Sequence, residues 1–184
     1  MADNAERNLE AAERVASLLI ANGAPAIVIG AVALAAHRYI RHTEDIDLGV
    51  DADLPKMRLI AAVLRNEGFD VEFHEPDTDD PLGGVIDVAG PFGLVQVVSF
   101  AGRFPAAIRD ALSGEDTRIR PGSELRITPI PQLVALKLYA GGSRAKADIV
   151  ELLRRNPEAD LDAIRDTCRH YRLRGLEAVL DELH

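Results

Sequence analysis

Two aspartates, Asp45 and Asp47, stand one residue apart in the segment Asp-Ile-Asp-Leu-Gly-Val-Asp. Alternation of acidic and apolar residues has the period of a β-strand, so both carboxylates point to one face while Ile46 and Leu48 point into the core. At that spacing the Cα atoms are about 6–7 Å apart, and two carboxylates repel unless they are solvated or share a cation. Mg2+ suits such a pair, because it takes one or two carboxylates and fills its shell with phosphate and water oxygens. The same residues also allow a plainer reading, the solvated outer face of an edge strand. A calcium loop is a poor alternative, since Asp45, Asp47 and Asp51 lack the remaining ligand spacing and the terminal Glu of an EF-hand. His37 and His42 flank the pair and would complete a zinc-type set, but they fall on different elements, where structural or solvated roles suit them better.

The elements that must hold this pair follow from pattern. Residues 4–22 carry Leu9, Ala12, Val15, Leu18 and Leu19 at helical spacing, with Gly23 as the stop. Ala-Ile-Val-Ile-Gly, after Pro25, is a buried strand, and the alanine-rich residues 31–40 form a short helix before a turn at 41–45. The acidic strand follows, then a helix with Met57, Ile60, Ala61 and Leu64 on one face, closed by Gly68. Residues 70–75 form a strand, 76–84 a loop, and 85–90 and 94–100 two strands joined as a hairpin. A helix at 104–112 and short, proline-broken β segments over 116–130 come next. Four helical stretches complete the chain, at 131–140, 145–155, 161–171 and 172–184. The expected architecture is α/β (α+β), a mixed sheet flanked by helices. It divides into a core over 1–125 and a helical C-terminal part over 126–184.

Composition bounds the function. The chain has 184 residues, 47% of them hydrophobic and 28% charged, enough for a sizeable core. A formal net charge of -9 argues against a general nucleic-acid coat, which needs a surplus of Lys and Arg. Cys168 is the only cysteine, so neither an intrachain disulfide nor a cysteine zinc cluster is available, and the thiol reads as a core residue. The charged start lacks a signal core and no apolar run reaches bilayer length, so a cytoplasmic protein without membrane attachment is expected.

A buried strand ending in Gly30-Ala31, a short helix, and a second strand bearing Asp-x-Asp together resemble the nucleotidyltransferase superfamily that includes DNA polymerase beta. The stretch His-Arg-Tyr-Ile-Arg-His-Thr-Glu-Asp-Ile-Asp-Leu is similar to the one in small prokaryotic members, relatives of the abortive-infection toxins, where Arg-x-Thr precedes the acidic pair. Leu-Val-Ala-Leu-Lys-Leu-Tyr-Ala-Gly-Gly-Ser-Arg-Ala-Lys-Ala-Asp is the second matching piece, and the resemblance spans residues 27–153. It implies a minimal nucleotidyltransferase fold and Mg-dependent transfer of a nucleoside monophosphate from an NTP to a hydroxyl of a protein, a tRNA or a small molecule. Asp45 and Asp47 would hold Mg2+. Gly30 and Ala31 would let the backbone approach the triphosphate, and Arg41, Thr43, Lys137 and Asp148 would bind nucleotide or complete the site. Lys137 and Asp148 lie eleven residues apart and would share a face on one continuous helix, though Gly141-Gly142-Ser143 interrupts it. A toxin–antitoxin or defence setting, with a cognate antitoxin or a second copy of the chain as partner, belongs to the same implication.

Two positions depart from the pattern. Ala31 stands where the superfamily has Gly or Ser, which removes a hydroxyl donor. Gln96 stands where the third carboxylate is expected; an amide can ligate through its carbonyl oxygen but cannot act as a base. Asp87 is the nearby strand acid that could substitute, and the short hairpin puts it near Gln96 across the ladder. An outward-facing, purely structural role is its alternative. The competing functional class is therefore a catalytically reduced nucleotide-binding or protein-interaction module on the same fold. Arg38 and Arg41 could neutralise phosphate or pair with Glu44 and neighbouring acids, and Lys137 could be an ordinary exposed helix lysine.

Overall fold

A computed structural model describes residues 2–41, 43, 45–76, 83–102, 104–114 and 116–183. His42, Glu44 and most of the loop expected at 76–84 lie outside the described residues. Helix α1 (Ala2–Ala21) leads into strand β1 (Ala26–Ile29), helix α2 (Gly30–Ala36) and strand β2 (Asp45–Val50). Helix α3 (Leu54–Asn66) and strands β3 (Asp70–His74), β4 (Val85–Gly90) and β5 (Gly93–Ser99) follow. After helix α4 (Pro105–Ser113) and the two-residue strand β6 (Arg126–Ile127), the chain is helical: α5 (Ile130–Ala140), α6 (Gly142–Arg155), α7 (Leu161–His170) and α8 (Leu176–Leu180), with a 3-10 turn at Asp181–Leu183.

The strands form one mixed sheet in the order β3-β4-β5-β2-β1-β6. β2 pairs antiparallel with β1 and parallel with β5, so the acidic pair sits on an interior strand and not on the solvated edge that its sequence also allowed. Ile46, Leu48 and Val50 of β2 share the buried face with Val95 and Val97 of β5 and Ile86 and Val88 of β4. Ala12, Val15, Ala16 and Leu19 bring the buried stripe of α1 to the same core, each large side chain contributing about 1.5–3 kcal/mol on burial. The opposite face is covered only at one end. There α4 packs so tightly that a Cβ on Gly49 would stand 2.8 Å from Cδ1 of Ile108. The end bearing Asp45 and Asp47 is left open.

Local signals explain most boundaries. Asp53 caps α3 by accepting from the Lys56 N–H at 2.9 Å, Pro55 sits in the first turn, and Gly68 follows the helix at φ +88°. Two expected helices are shorter than their patterns. α2 stops at Ala36 because Arg38 turns left-handed at φ 67° and the Tyr39 N–H closes back on the Leu34 carbonyl at 2.9 Å. The last stretch has helix only from Leu176, since Gly175 takes φ +92°. Phe104, Tyr139 and Tyr171 bind the C-terminal helices to α4, the first two stacked at 4.6 Å between centroids and the third edge-on at 5.0 Å from Phe104. Among the described residues, no helix is long and apolar enough to cross a membrane.

Candidate active site

The open end of the sheet holds a pocket of about 490 Å3 lined by Ala31, Arg41, Thr43, Asp45, Asp47, Gln96 and Arg144. Its floor is set by register. Ile29 faces Asp47 across the β1–β2 ladder, Asp47 faces Gln96 across β2–β5, and Gln96 faces Asp87 across β5–β4. One sheet row therefore carries Asp47, Gln96 and Asp87 side by side, with Asp45 one step along β2.

Gly30 makes this row possible. It adopts φ +67°, and a Cβ there would lie 1.8 Å from Oδ2 of Asp47, so the backbone where β1 turns into α2 rests directly against the carboxylate. The next residue, Ala31, is buried in the first turn of α2 and lines the pocket. Its methyl group brings no hydroxyl, which leaves main-chain N–H groups as the polar surface of that turn; no side chain caps the helix start.

The Asp47 carboxyl is pushed up from its ordinary range, first by burial and then by the charge of Asp45; Lys137 and Arg41 pull the other way and do not prevail. Thr43 fixes the entry to β2: its hydroxyl accepts from the Asp45 N–H at 3.2 Å and lies 3.2 Å from the Asp45 carbonyl. Lys137 and Asp148 do fall on two helices, broken at Gly141 with φ 70°, yet the Lys137 Nζ reaches the Asp148 carboxylate at 2.7 Å. The same carboxylate accepts from Arg41 Nη1 at 3.0 Å. Asp148 is buried, with 4% of its side chain exposed, against 16% for Lys137 and 25% for Arg41. Lys137 is thus no ordinary exposed lysine. Nε of Arg41 is buried with no hydrogen-bond partner among the described residues, an orphaned donor beside the carboxylate pair.

Other expectations resolve differently. Asp87 lies on the same face as Gln96 but two strands from Asp47, roughly 10 Å away by strand spacing. Its Oδ1 accepts from Gln96 Nε2 at 2.7 Å, and its Oδ2 is 3.1 Å from His74 Nε2. His37 is engaged elsewhere, 2.8 Å from the Thr128 carbonyl, and Arg38 pairs with exposed Glu158 at 2.7 Å; both line a different pocket at the far end of α2. No group of three or more His, Cys, Asp or Glu side chains forms a metal cluster among the described residues. Cys168 is a core residue whose thiol burial pushes up to about 11. Arg144 was missed by the sequence reading. It sits in the first turn of α6, exposed at the pocket mouth, and the Gly141-Gly142 break just before it was the available signal.

The donor set fits a hard divalent cation. The candidate ligands on the floor offer oxygens, and Asp45 stands close enough to Asp47 for its charge to raise the cost of ionising the Asp47 carboxyl. Within electrostatic reach of Asp47 are two cations held by a buried acid, and Arg144 adds a third at the rim. Such a juxtaposition of an acidic pair with cations can accept a metal-bound polyphosphate.

No family model matches the sequence, and no curated protein matches it. Solved structures do. The crystal structure of ANT(2'')-Ia in complex with adenylyl-2''-tobramycin superposes with a TM-score of 0.56 at 13% identity, covering 86% of this chain and 92% of that one. A solution structure of ANT(2'')-Ia, described as an antibiotic-resistance factor, gives 0.53 at 14% identity over 86% and 87%. An antigenic nucleotidyltransferase-like protein from Paracoccidioides brasiliensis gives 0.55 at 15% identity, over 96% of this chain and 93% of that one. With the mixed six-stranded sheet and its flanking helices, these likenesses establish that the chain has a nucleotidyltransferase-like fold.

Proposed function

We propose that this chain is a Mg-dependent nucleotidyltransferase that moves a nucleoside monophosphate from an NTP to a hydroxyl acceptor. The observation that carries the proposal is the Gly30–Asp47 contact, which packs the backbone turn between β1 and α2 onto one of two adjacent carboxylates. Asp45 and Asp47 hold the cation, which when bound neutralises triphosphate charge and polarises the reacting phosphoryl group. The main-chain N–H groups at Gly30-Ala31 bind phosphate oxygens. Arg41 and Lys137, both tied down by Asp148, offset the charge that builds on the leaving pyrophosphate, and Arg144 closes the rim. The acceptor oxygen bonds to the α-phosphorus as the bond to the bridging oxygen breaks. Pyrophosphate leaves, and the hydroxyl proton passes to a carboxylate of the pair or to water.

A small molecule is the acceptor to test first, given the similar ANT(2'')-Ia structure that holds adenylyl-2''-tobramycin; a tRNA end and a protein side chain are its competitors. The proposal includes a cytoplasmic location, and a cognate antitoxin or a second copy of the chain as partners. Titrating Mg-ATP, Mg-CTP, Mg-GTP and Mg-UTP against the native protein, Asp45→Asn and Asp47→Asn tests it. Binding and heat-stabilisation should fall sharply in both variants; equal effects in all three proteins refute it. A second reading is favoured by one specific observation, the amide of Gln96 on the pocket floor. It is that of a nucleotide-binding module that transfers slowly or not at all. Asp45-dependent pyrophosphate release would reject that module.

A further inference from the structure

Gln96 stands between two carboxylates, opposite Asp47 on one side and opposite Asp87 on the other. Its amide can face either way, and the two faces differ: Nε2 donates while Oε1 accepts. Asp87 removes the ambiguity. A carboxylate offers only acceptors, so the 2.7 Å contact requires Nε2 on the Asp87 side, and Oε1 becomes the amide atom left to the pocket that Asp45 and Asp47 share. The second oxygen of Asp87 is in turn 3.1 Å from His74 Nε2, which anchors the carboxylate from β3. The chain His74–Asp87–Gln96 thus runs across three strands and ends on the floor of the site.

The geometry points to Gln96 as a third, neutral oxygen ligand for the divalent cation, with Asp87 as the positioning residue that holds its amide carbonyl toward β2. This rests on the proposal that Asp45 and Asp47 bind the cation, and it changes the expectation for Asp87, which acts through Gln96 instead of replacing it. A carbonyl oxygen suits Mg2+ or Mn2+ and keeps the protein contribution at two negative charges. An outer partner that orients a ligand typically matters 10–100-fold in metal affinity.

The test measures Mn2+ binding to the nucleotide-free protein by electron paramagnetic resonance, with thermal melts alongside. Gln96→Leu should weaken Mn2+ binding roughly tenfold and Asp87→Ala by a comparable factor. Asp87→Asn should stay near native, since the Asn carbonyl still accepts from the Gln96 amide and its NH2 can donate to His74. The decisive comparison is the double variant. Once Gln96 is Leu, Asp87→Ala should cost no further affinity, because its effect travels only through the amide. Additive losses in the double variant, or native affinity in Gln96→Leu, overturn the inference. Loss of fold in Gln96→Leu is bypassed by Gln96→Glu with Asp87→Asn, which supplies a carboxylate toward the cation while removing the like charge that faces it from β4. It should bind Mn2+ more tightly than the native protein, and unchanged or weaker binding overturns the inference. Asp45→Asn separates the two levels: if it leaves Mn2+ binding intact, the functional proposal itself fails, whereas loss in Asp45→Asn with none in Gln96→Leu sinks only the role of Gln96.

Discussion

Replacing Gly30 by Ala isolates the role of the strand–helix turn, and Gly23 supplies its control. Both glycines have left-handed backbone, φ +67° and +72°. An L-residue there costs about 1–2 kcal/mol of backbone strain in either place, so that part of the destabilisation is common to both substitutions. For a chain of this size that lowers Tm by roughly 2–8 °C. The surroundings differ completely. A Cβ on Gly23 meets only the flexible Lys56 ammonium at 4.0 Å, whereas one on Gly30 lands 1.8 Å from Asp47 Oδ2, short of ordinary 3.4 Å contact by about 1.6 Å. The Asp47 carboxylate must swing away by that amount, and in the proposed site Mg2+, which demands oxygens at about 2.0–2.1 Å in near-octahedral array, would lose the ligand. Isothermal titration with Mg-ATP should show Gly23→Ala binding like the native protein and Gly30→Ala weakened at least about 100-fold, beyond the upper range for an outer-shell change. If Gly30→Ala binds within about threefold of Gly23→Ala, the contact between turn and carboxylate is incidental and the functional proposal loses its main support.

Two further expectations concern charge. Asp148→Asn leaves Lys137 and Arg41 without their buried counter-charge, and should cost about 3 kcal/mol in urea unfolding, the low end for a broken buried pair because both cations keep some solvent contact. Adding Lys137→Met should recover part of that loss, and a cost below about 1 kcal/mol would contradict the assigned burial. Cys168 gives a pH signature. Its thiol is raised from 9.0 to about 11 by burial, so between those values the unfolded chain gives up a proton that the folded chain keeps. Stability is therefore full below pH 9 and declines as pH rises toward 11, by about 2–3 kcal/mol from this group. Unfolding curves of the native protein and Cys168→Ala should converge over that window; parallel curves would refute the shift.

Much of the candidate site's local geometry was legible because its grammar is local. The alternation in Asp-Ile-Asp-Leu identified which side chains of β2 turn inward, and Ile46 and Leu48 are buried accordingly. The short hairpin at 90–93 placed Asp87 beside Gln96, and they are register partners. What stayed hidden depends on contacts distant in sequence. The interior position of β2 arises from parallel pairing with β5, reached only after α3, β3 and β4, and no residue of β2 encodes it. Arg41 and Asp148 meet across 107 residues. The end of α2 had no glycine to mark it: Arg38 adopts the left-handed turn instead, and the Asn156 side-chain amide donates to the His37 carbonyl at 2.7 Å from α6's far end.

Asp148 explains why opposite charges in the pocket stay apart. Lys137 and Arg41 both influence Asp47, and where a carboxyl is buried as Asp47 is, the cheapest outcome would be for them to pair with the acidic row directly. That would neutralise the floor and fill the space a metal-bound phosphate needs. A buried carboxylate behind the two cations holds them at 2.7 and 3.0 Å, so the acidic pair remains under-compensated and Asp47 resists ionising. The arrangement costs stability in the empty protein and gives it back on binding. In the proposed complex Mg-nucleotide would bring both a cation to the acidic floor and an anion to Arg41 Nε, which is buried without a hydrogen-bond partner among the described residues. At a hundred times its dissociation constant such a ligand adds about 2.7 kcal/mol to folding. Relief of that stored mismatch is what separates a nucleotide site from a merely acidic surface, and it makes heat-stabilisation by Mg-nucleotide, absent with Mg2+-free nucleotide, the most direct sign that the acidic pair and the cations were built for one ligand.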